Sequence, residues 1–228
     1  MAVRVRQLAI NVVGMAVVFM VTLFVPAGTL RWPAGWFFLF LFFVFTAALT
    51  MWLFRFNPDL LAERLTGIGK ADQKKWDKVL LALTAVVFFS WLGLMGLDAV
   101  RFRWSHVPLW LQGLGTILLL CSFYVFYITF RENSYLSPAV RIQAERSHSV
   151  VSTGPYRYVR HPMYAGFIPF SLGTALVLGS WCGLLGALLL IGLVARRAVL
   201  EERTLCQELV GYNEYIARTK YRFVPYLW

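Results

Sequence analysis

The chain has 228 residues, of which 59% are hydrophobic and only 14% charged, with a mean hydropathy of +0.65. A soluble domain carries about a quarter charged residues, so that class is excluded, and continuous apolar runs in place of alternating ten-residue segments exclude an outer-membrane-type barrel. The net charge of +11 is assigned to loops facing an anionic leaflet and not to nucleic acid, and Cys121, Cys182 and Cys206, with no CxxC spacing, give neither a disulfide framework nor a zinc site.

At the N-terminus Arg4 and Arg6 precede an apolar run that is longer than a signal-peptide core and has no A-x-A cleavage pattern, so residues 8–26 read as a retained first span. After a loop with Gly28, Arg31 and Pro33, residues 34–54 read as a second span, with Trp32 and Trp52 as interfacial anchors. Residues 55–78 are a polar loop in which Asn57-Pro58 signals the start of a short interfacial helix. Residues 79–97 and 109–130 form the third and fourth spans, separated by a turn. The polar segment 131–164 leads into two shorter apolar stretches, 165–178 and 182–195, split by Gly179-Ser180-Trp181. These predict a tight hairpin in which Gly166, Gly173, Gly179, Gly183, Gly186 and Gly192 let the two arms approach closely. An amphipathic helix over 196–219 closes the chain.

The expected fold is therefore an all-α membrane protein. It has about six transmembrane helices in a single domain, with N-terminal spans over 1–119 and a core over 120–228. Of the 22 Lys and Arg residues, all but Arg31, Arg101 and Arg103 fall on one side of a six-span arrangement. The positive-inside rule puts that side, with both termini and the polar segment 131–164, in the cytoplasm.

Two polar pieces flank the hairpin on that side. In the first, Gly154-Pro155 makes a turn, Tyr156, Tyr158 and Tyr164 offer aromatic faces, Arg160 and His161 offer donors, and Pro162 starts the next helix. In the second, Arg197 and Glu201 share a helix face, with Glu202 adjacent. A headgroup-facing loop and a surface ion pair are the plain readings of these pieces. Ionisable groups kept at a membrane boundary point instead to a functional site. The spacing of His148 and His161 is not a metal pattern, and His106 is given no role.

The run from His148 through Gly154-Pro155-Tyr156 and Arg160-His161-Pro162-Met163-Tyr164 to Gly166 resembles the signature of the isoprenylcysteine carboxyl methyltransferase family, which also includes phospholipid N-methyltransferases. Arg197, Glu201-Glu202-Arg203-Thr204-Leu205, Tyr212, Tyr215 and Pro225 resemble its C-terminal motif, so the likeness covers residues 120–228. It implies an integral membrane methyltransferase using S-adenosylmethionine in a cytoplasmic pocket. By that likeness His148, Val151, Gly154, Tyr156, Arg160, His161, Pro162, Tyr164 and Glu202 enclose the cofactor, and Arg197, Glu201 and Glu202 face the methyl acceptor. A lipid or lipophilic acceptor, bearing a carboxylate, amine or thiol, enters from the membrane. The chain looks like a bacterial or archaeal relative, and no protein partner is inferred. An NADPH-dependent membrane reductase of the sterol-reductase type, which resembles the family in its C-terminal half, is the alternative. A non-enzymatic membrane protein is a third reading.

Overall fold

The computed structural model describes residues 5–66, 69–70 and 72–228, with side chains from residue 10 onward. Arg4 and the side chain of Arg6, part of the charge asymmetry, lie outside it. The described residues form α1 (Val5–Ala27), α2 (Pro33–Phe56), α3 (Pro58–Thr66), α4 (Lys75–Gly96), α5 (Leu109–Glu132), α6 (Pro162–Val177), α7 (Trp181–Glu208) and α8 (Tyr212–Arg218), and no strand. Helix starts follow the sequence: Pro33, Pro58 and Pro162 occupy first helical positions, where a missing N–H costs nothing. Asn57 Oδ1 accepts from the Leu60 N–H at 3.2 Å, opening α3 where the Asn-Pro signal places it.

Five helices, α1, α2, α4, α5 and α7, are long and apolar enough to cross a membrane. Their outward side chains, such as Val13, Phe40, Val86 and Leu185, are well exposed, as a hydrocarbon surround requires. The sixth apolar helix, α6, has 16 residues. At 1.5 Å per residue it reaches about 24 Å, short of the ~30 Å hydrocarbon layer. Its partner α7 runs 28 residues without a break. The amphipathic helix expected from Arg196 is thus the distal half of α7, interrupted only before Gly211, whose φ of +84° suits glycine.

Of the glycines expected to bring α6 and α7 together, Gly183 does so, a Cβ there standing 3.1 Å from Ala175 Cβ, and Gly179 makes the turn, while the others act elsewhere. Gly173 instead sits where α5 and α6 approach backbone to backbone. A Cβ on Gly115 would stand 2.9 Å from the Gly173 carbonyl oxygen, and one on Gly173 would stand 2.7 Å from that of Gly115. Gly166 meets Phe126 of α5, while Gly183 and Gly186 of α7 receive Met95 and Trp91 of α4. Trp91 Nε1 then donates to the Gly183 carbonyl at 2.6 Å. Gly192 faces open space. Trp32, expected at the interface, is 6% exposed and folded over Gly35 against Phe24, so it belongs to the core.

The two ends of the bundle differ in chemistry. At one, α4 continues as a π-helical turn (Leu97–Arg101) carrying the fully buried Asp98. Asp98 accepts from the Ser105 hydroxyl at 2.6 Å, the Ser180 hydroxyl and the Cys182 N–H at 3.3 Å. This knot pins the α6–α7 turn, where Gly179 has φ +80°. At the other end, α3, the start of α4, the segment between α5 and α6, distal α7 and α8 converge. Arg141 pairs with Glu63, Lys74 with Glu208 at 2.6 Å, and Arg197 with Asp77 at 2.9 Å. The expected basic segments thus gather at one end, with Arg101 at the other beside the Pro26 carbonyl.

Candidate active site

The polar end holds a partly open cavity of about 320 Å³. Its walls come from the two polar pieces singled out in the sequence, brought together because the α6–α7 hairpin returns the chain to the same end, and from α3 with residues 133–141.

One part of the lining is a chain of three polar side chains, Arg197, Tyr164 and Glu201, held from behind by Asp77. Asp77, fully buried at the start of α4, accepts from Arg197 Nε at 2.9 Å, and from the Val140 N–H and Gln73 through its other oxygen. Arg197 Nη2 donates to the Pro138 carbonyl at 2.7 Å and Nη1 to the Tyr164 hydroxyl at 2.8 Å. That hydroxyl donates to Glu201 Oε2 at 2.7 Å. A hydroxyl has one proton to give, so accepting from Arg197 commits it toward Glu201. Among the described residues the second Glu201 oxygen has no hydrogen-bond partner, and Glu201 lines the cavity.

Another part of the lining is aromatic. Tyr156, Tyr212 and Tyr215 are buried together with Leu209, flanked by Val150 and Val151. The Tyr156 hydroxyl accepts from Asn133 at 2.8 Å, and the Tyr215 hydroxyl donates to the Tyr156 carbonyl at 2.8 Å. Burial pushes all three phenols up, Tyr215 to about 12, so they stay protonated. Half-buried His148 stacks on Tyr135 with centroids 4.6 Å apart, and its Nδ1 accepts from the Gln143 N–H at 3.4 Å. Burial, then the charges of Arg146 and Arg141, push its pKa down to about 4. At neutral pH it is an uncharged ring with Nε2–H left to donate.

The sequence-chosen residues divide by position. His148, Val151, Tyr156, Tyr164, Arg197 and Glu201 line the cavity, as do Arg160, His161 and Pro162. Gly154 and Glu202 do not. Gly154 lies in an exposed turn at φ +54°, where a Cβ would strike the Glu132 carboxylate. Glu202, 6% exposed, is locked beneath the site. Its carboxylate accepts from Arg160 Nε at 2.6 Å and Arg222 Nε at 2.8 Å, with His161 Nε2 at 3.2 Å. Arg160 Nη1 also donates to the Thr219 and Lys220 carbonyls, and the Arg160 and His161 N–H groups donate to those of Tyr221 and Arg222. Arg160, His161 and Glu202 therefore staple the tail after α8 against the cavity floor.

Several residues of the site escaped the sequence reading because they sit in the N-terminal region or in a loop with no motif. Arg141 is buried and bidentate to Glu63 at 3.0 Å through both Nε and Nη2. Burial opposes the charge on Glu63, but Arg141, Lys70 and Ser137 outweigh it and hold the carboxyl down to about 2. This pair straps the loop to α3. Arg64, next along α3, lines the cavity with its guanidinium 4.6 Å from the Phe130 ring centroid and Nη1 donating to the Leu136 carbonyl at 3.0 Å. Burial and the charge of Arg197 push its pKa down to about 10. The signal available was Arg64 lying one turn past Leu60 and Leu61 in an amphipathic segment. Among the described residues no group of three His, Cys, Asp or Glu side chains converges on a metal site.

Residues 138–207 match the model of the isoprenylcysteine carboxyl methyltransferase (ICMT) family. A stretch of 67 residues, 29% of the chain, is 39% identical to protein-S-isoprenylcysteine O-methyltransferase of Schizosaccharomyces pombe (strain 972 / ATCC 24843) and spans 28% of that protein's length. The resemblance read from the two polar pieces thus holds over the segment that builds the hairpin and most of the cavity. The N-terminal helices lie outside the family match, as do residues 120–137 and 208–228 with Tyr212, Tyr215 and Pro225 of the expected C-terminal motif, and nothing in these comparisons supports the reductase alternative.

Proposed function

We propose, from the family likeness of the cavity-forming segment, that the chain is an integral membrane methyltransferase. It uses S-adenosylmethionine and methylates an oxygen of a lipophilic acceptor that carries a carboxylate. The observation that carries this reading is the Arg197–Tyr164–Glu201 chain lining a partly open cavity together with a cluster of buried tyrosines.

The donor set fits the cofactor. A volume of about 320 Å³ lies within the ~300–1,000 Å³ usual for small-molecule sites. A flat, partly apolar group suits the wall formed by Tyr156, Tyr212 and Val151, and a cation suits tyrosine faces and the free Glu201 oxygen. Bound there, S-adenosylmethionine supplies a methyl group on a sulfonium, whose leaving group is a neutral thioether.

The protein's part is placement. An ionised carboxylate acceptor is already a nucleophile and needs no base. Arg197, its position fixed by Asp77, Pro138 and Tyr164, has further N–H groups with which to orient it. Holding the reacting groups in line and excluding water then supplies most of the acceleration. Glu202 takes no part in proton transfer: three partners hold its carboxylate, which leaves it the role of fixing the tail.

The test is transfer of radiolabelled methyl from S-adenosylmethionine to N-acetyl-S-farnesylcysteine by detergent-purified protein, with the acceptor's carboxamide as control. Base-labile methyl ester formed from the acid and not the amide supports the reading. Label on neither, with the protein folded, sinks it.

A further inference from the structure

Every acidic side chain near the cavity is already committed except one oxygen of Glu201. Asp77 pairs with Arg197, and Arg141 is paired with Glu63, Asp72 and Glu145, with Lys70 also on Glu63. Arg64 is different. Among the described residues it has no salt bridge, and of its five N–H groups only one, on Nη1, has a protein acceptor, the Leu136 carbonyl at 3.0 Å. The Phe130 ring partly screens the guanidinium but accepts no proton in its plane. The group nonetheless lines the cavity, half-buried, on the same wall system as Arg197, whose like charge it feels. Four N–H groups of a cavity-lining guanidinium are thus left without an acceptor among the described residues, a deficit that an anionic ligand fills.

We propose that Arg64 is a ligand-binding residue, the anchor for a carboxylate inside the cavity, contributed by α3 from outside the segment that matches the methyltransferase family. The planar fork favours a carboxylate held by two N–H groups. Two carboxylates are compatible with this chemistry: the one on the amino-acid end of the cofactor and the one on the acceptor. The inference rests on the methyltransferase reading for the identity of its ligands, and on the geometry of Arg64 alone for the anionic contact.

The experiment uses the full chain in detergent, as wild type, Arg64→Gln and Arg64→Lys. Each is titrated calorimetrically with S-adenosylhomocysteine and with its decarboxylated analogue, and assayed for methyl transfer to N-acetyl-S-farnesylcysteine. Melting temperature is the folding control. If Arg64 holds the cofactor carboxylate, Arg64→Gln weakens S-adenosylhomocysteine by about 10- to 100-fold and leaves the analogue unchanged, with Arg64→Lys in between. If it holds the acceptor, S-adenosylhomocysteine binds all three alike and KM for the acceptor rises by a similar factor while kcat changes little. Either result supports the anchor. Equal behaviour of wild type and Arg64→Gln in both assays overturns it, and so does an equal loss for both ligands with a fall in melting temperature, which marks a scaffold role. A wild type that binds neither ligand counts against the methyltransferase reading instead.

Discussion

At the scale of single residues, the adjacent glutamates Glu201 and Glu202 are alike in sequence and opposite in use. Glu201 keeps one oxygen free in the cavity, whereas Glu202 is enclosed by Arg160, Arg222 and His161. Glu201→Gln is expected to lower kcat/KM for methyl transfer by about 10²-fold, the scale of losing alignment at a reacting centre, with the melting temperature unchanged. Glu202→Ala leaves two guanidiniums without their counter-charge, and breaking a buried pair costs about 3–5 kcal/mol. Its expected signature is a large drop in thermal stability, measured by melting of the detergent-solubilised protein. A stable Glu202→Ala protein with lost turnover would reverse these assignments. The resemblance favoured Glu202, placing it at both the cofactor and the acceptor, with Glu201 on the acceptor side only. The sequence had no means of seeing that Arg222, twenty residues on, returns to cap Glu202.

At the scale of elements, the α6–α7 hairpin was legible because its turn, Gly179-Ser180-Trp181, and its entry, His161-Pro162, carry strong local signals. What the arms pack against was not legible, because a small residue marks a close contact without naming the partner. Gly115, in an unremarked stretch of α5, faces Gly173 backbone to backbone. Gly173→Val is expected to push α5 and α6 apart at a cost of about 1–3 kcal/mol or more, whereas Gly192→Val, directed into open space, is expected to leave the melting temperature unchanged. Equal tolerance of both substitutions would refute the α5–α6 contact. The division of the last helix was misplaced for a related reason. The change from apolar to polar composition at Arg196 reflects α7 leaving the hydrocarbon layer for the polar end, while the backbone itself breaks only before Gly211.

At the scale of the whole molecule, composition and charge gave the membrane class and a single polar end, because both are sums over many residues that no single contact overrides. The contribution of the N-terminal half to the cavity, through Arg64, Asp77 and the Glu63–Arg141 strap, had no motif to announce it. That end should also govern pH response. His148 titrates near 6.5 when unfolded and about 4 when folded, so between these values the unfolded chain binds more protons and stability falls as pH falls through that window. Glu63 goes from 4.5 to about 2, so its stabilisation is present above 4.5 and is lost as pH falls toward 2. The melting temperature is expected to hold above pH 7, decline below 6.5 and steepen below 4.5, and His148→Phe should remove the first decline only.

The cavity between the tyrosine-bearing loop and distal α7 is the expected seat of the methyl donor. Calorimetric titration of the purified protein with S-adenosylhomocysteine and with NADPH tests it directly, alongside Val151→Trp, which fills the cavity from its aromatic wall. Saturable binding of S-adenosylhomocysteine, none of NADPH, and loss of the first in Val151→Trp are the expected results. Binding of NADPH alone, or S-adenosylhomocysteine binding that Val151→Trp leaves intact, would contradict it.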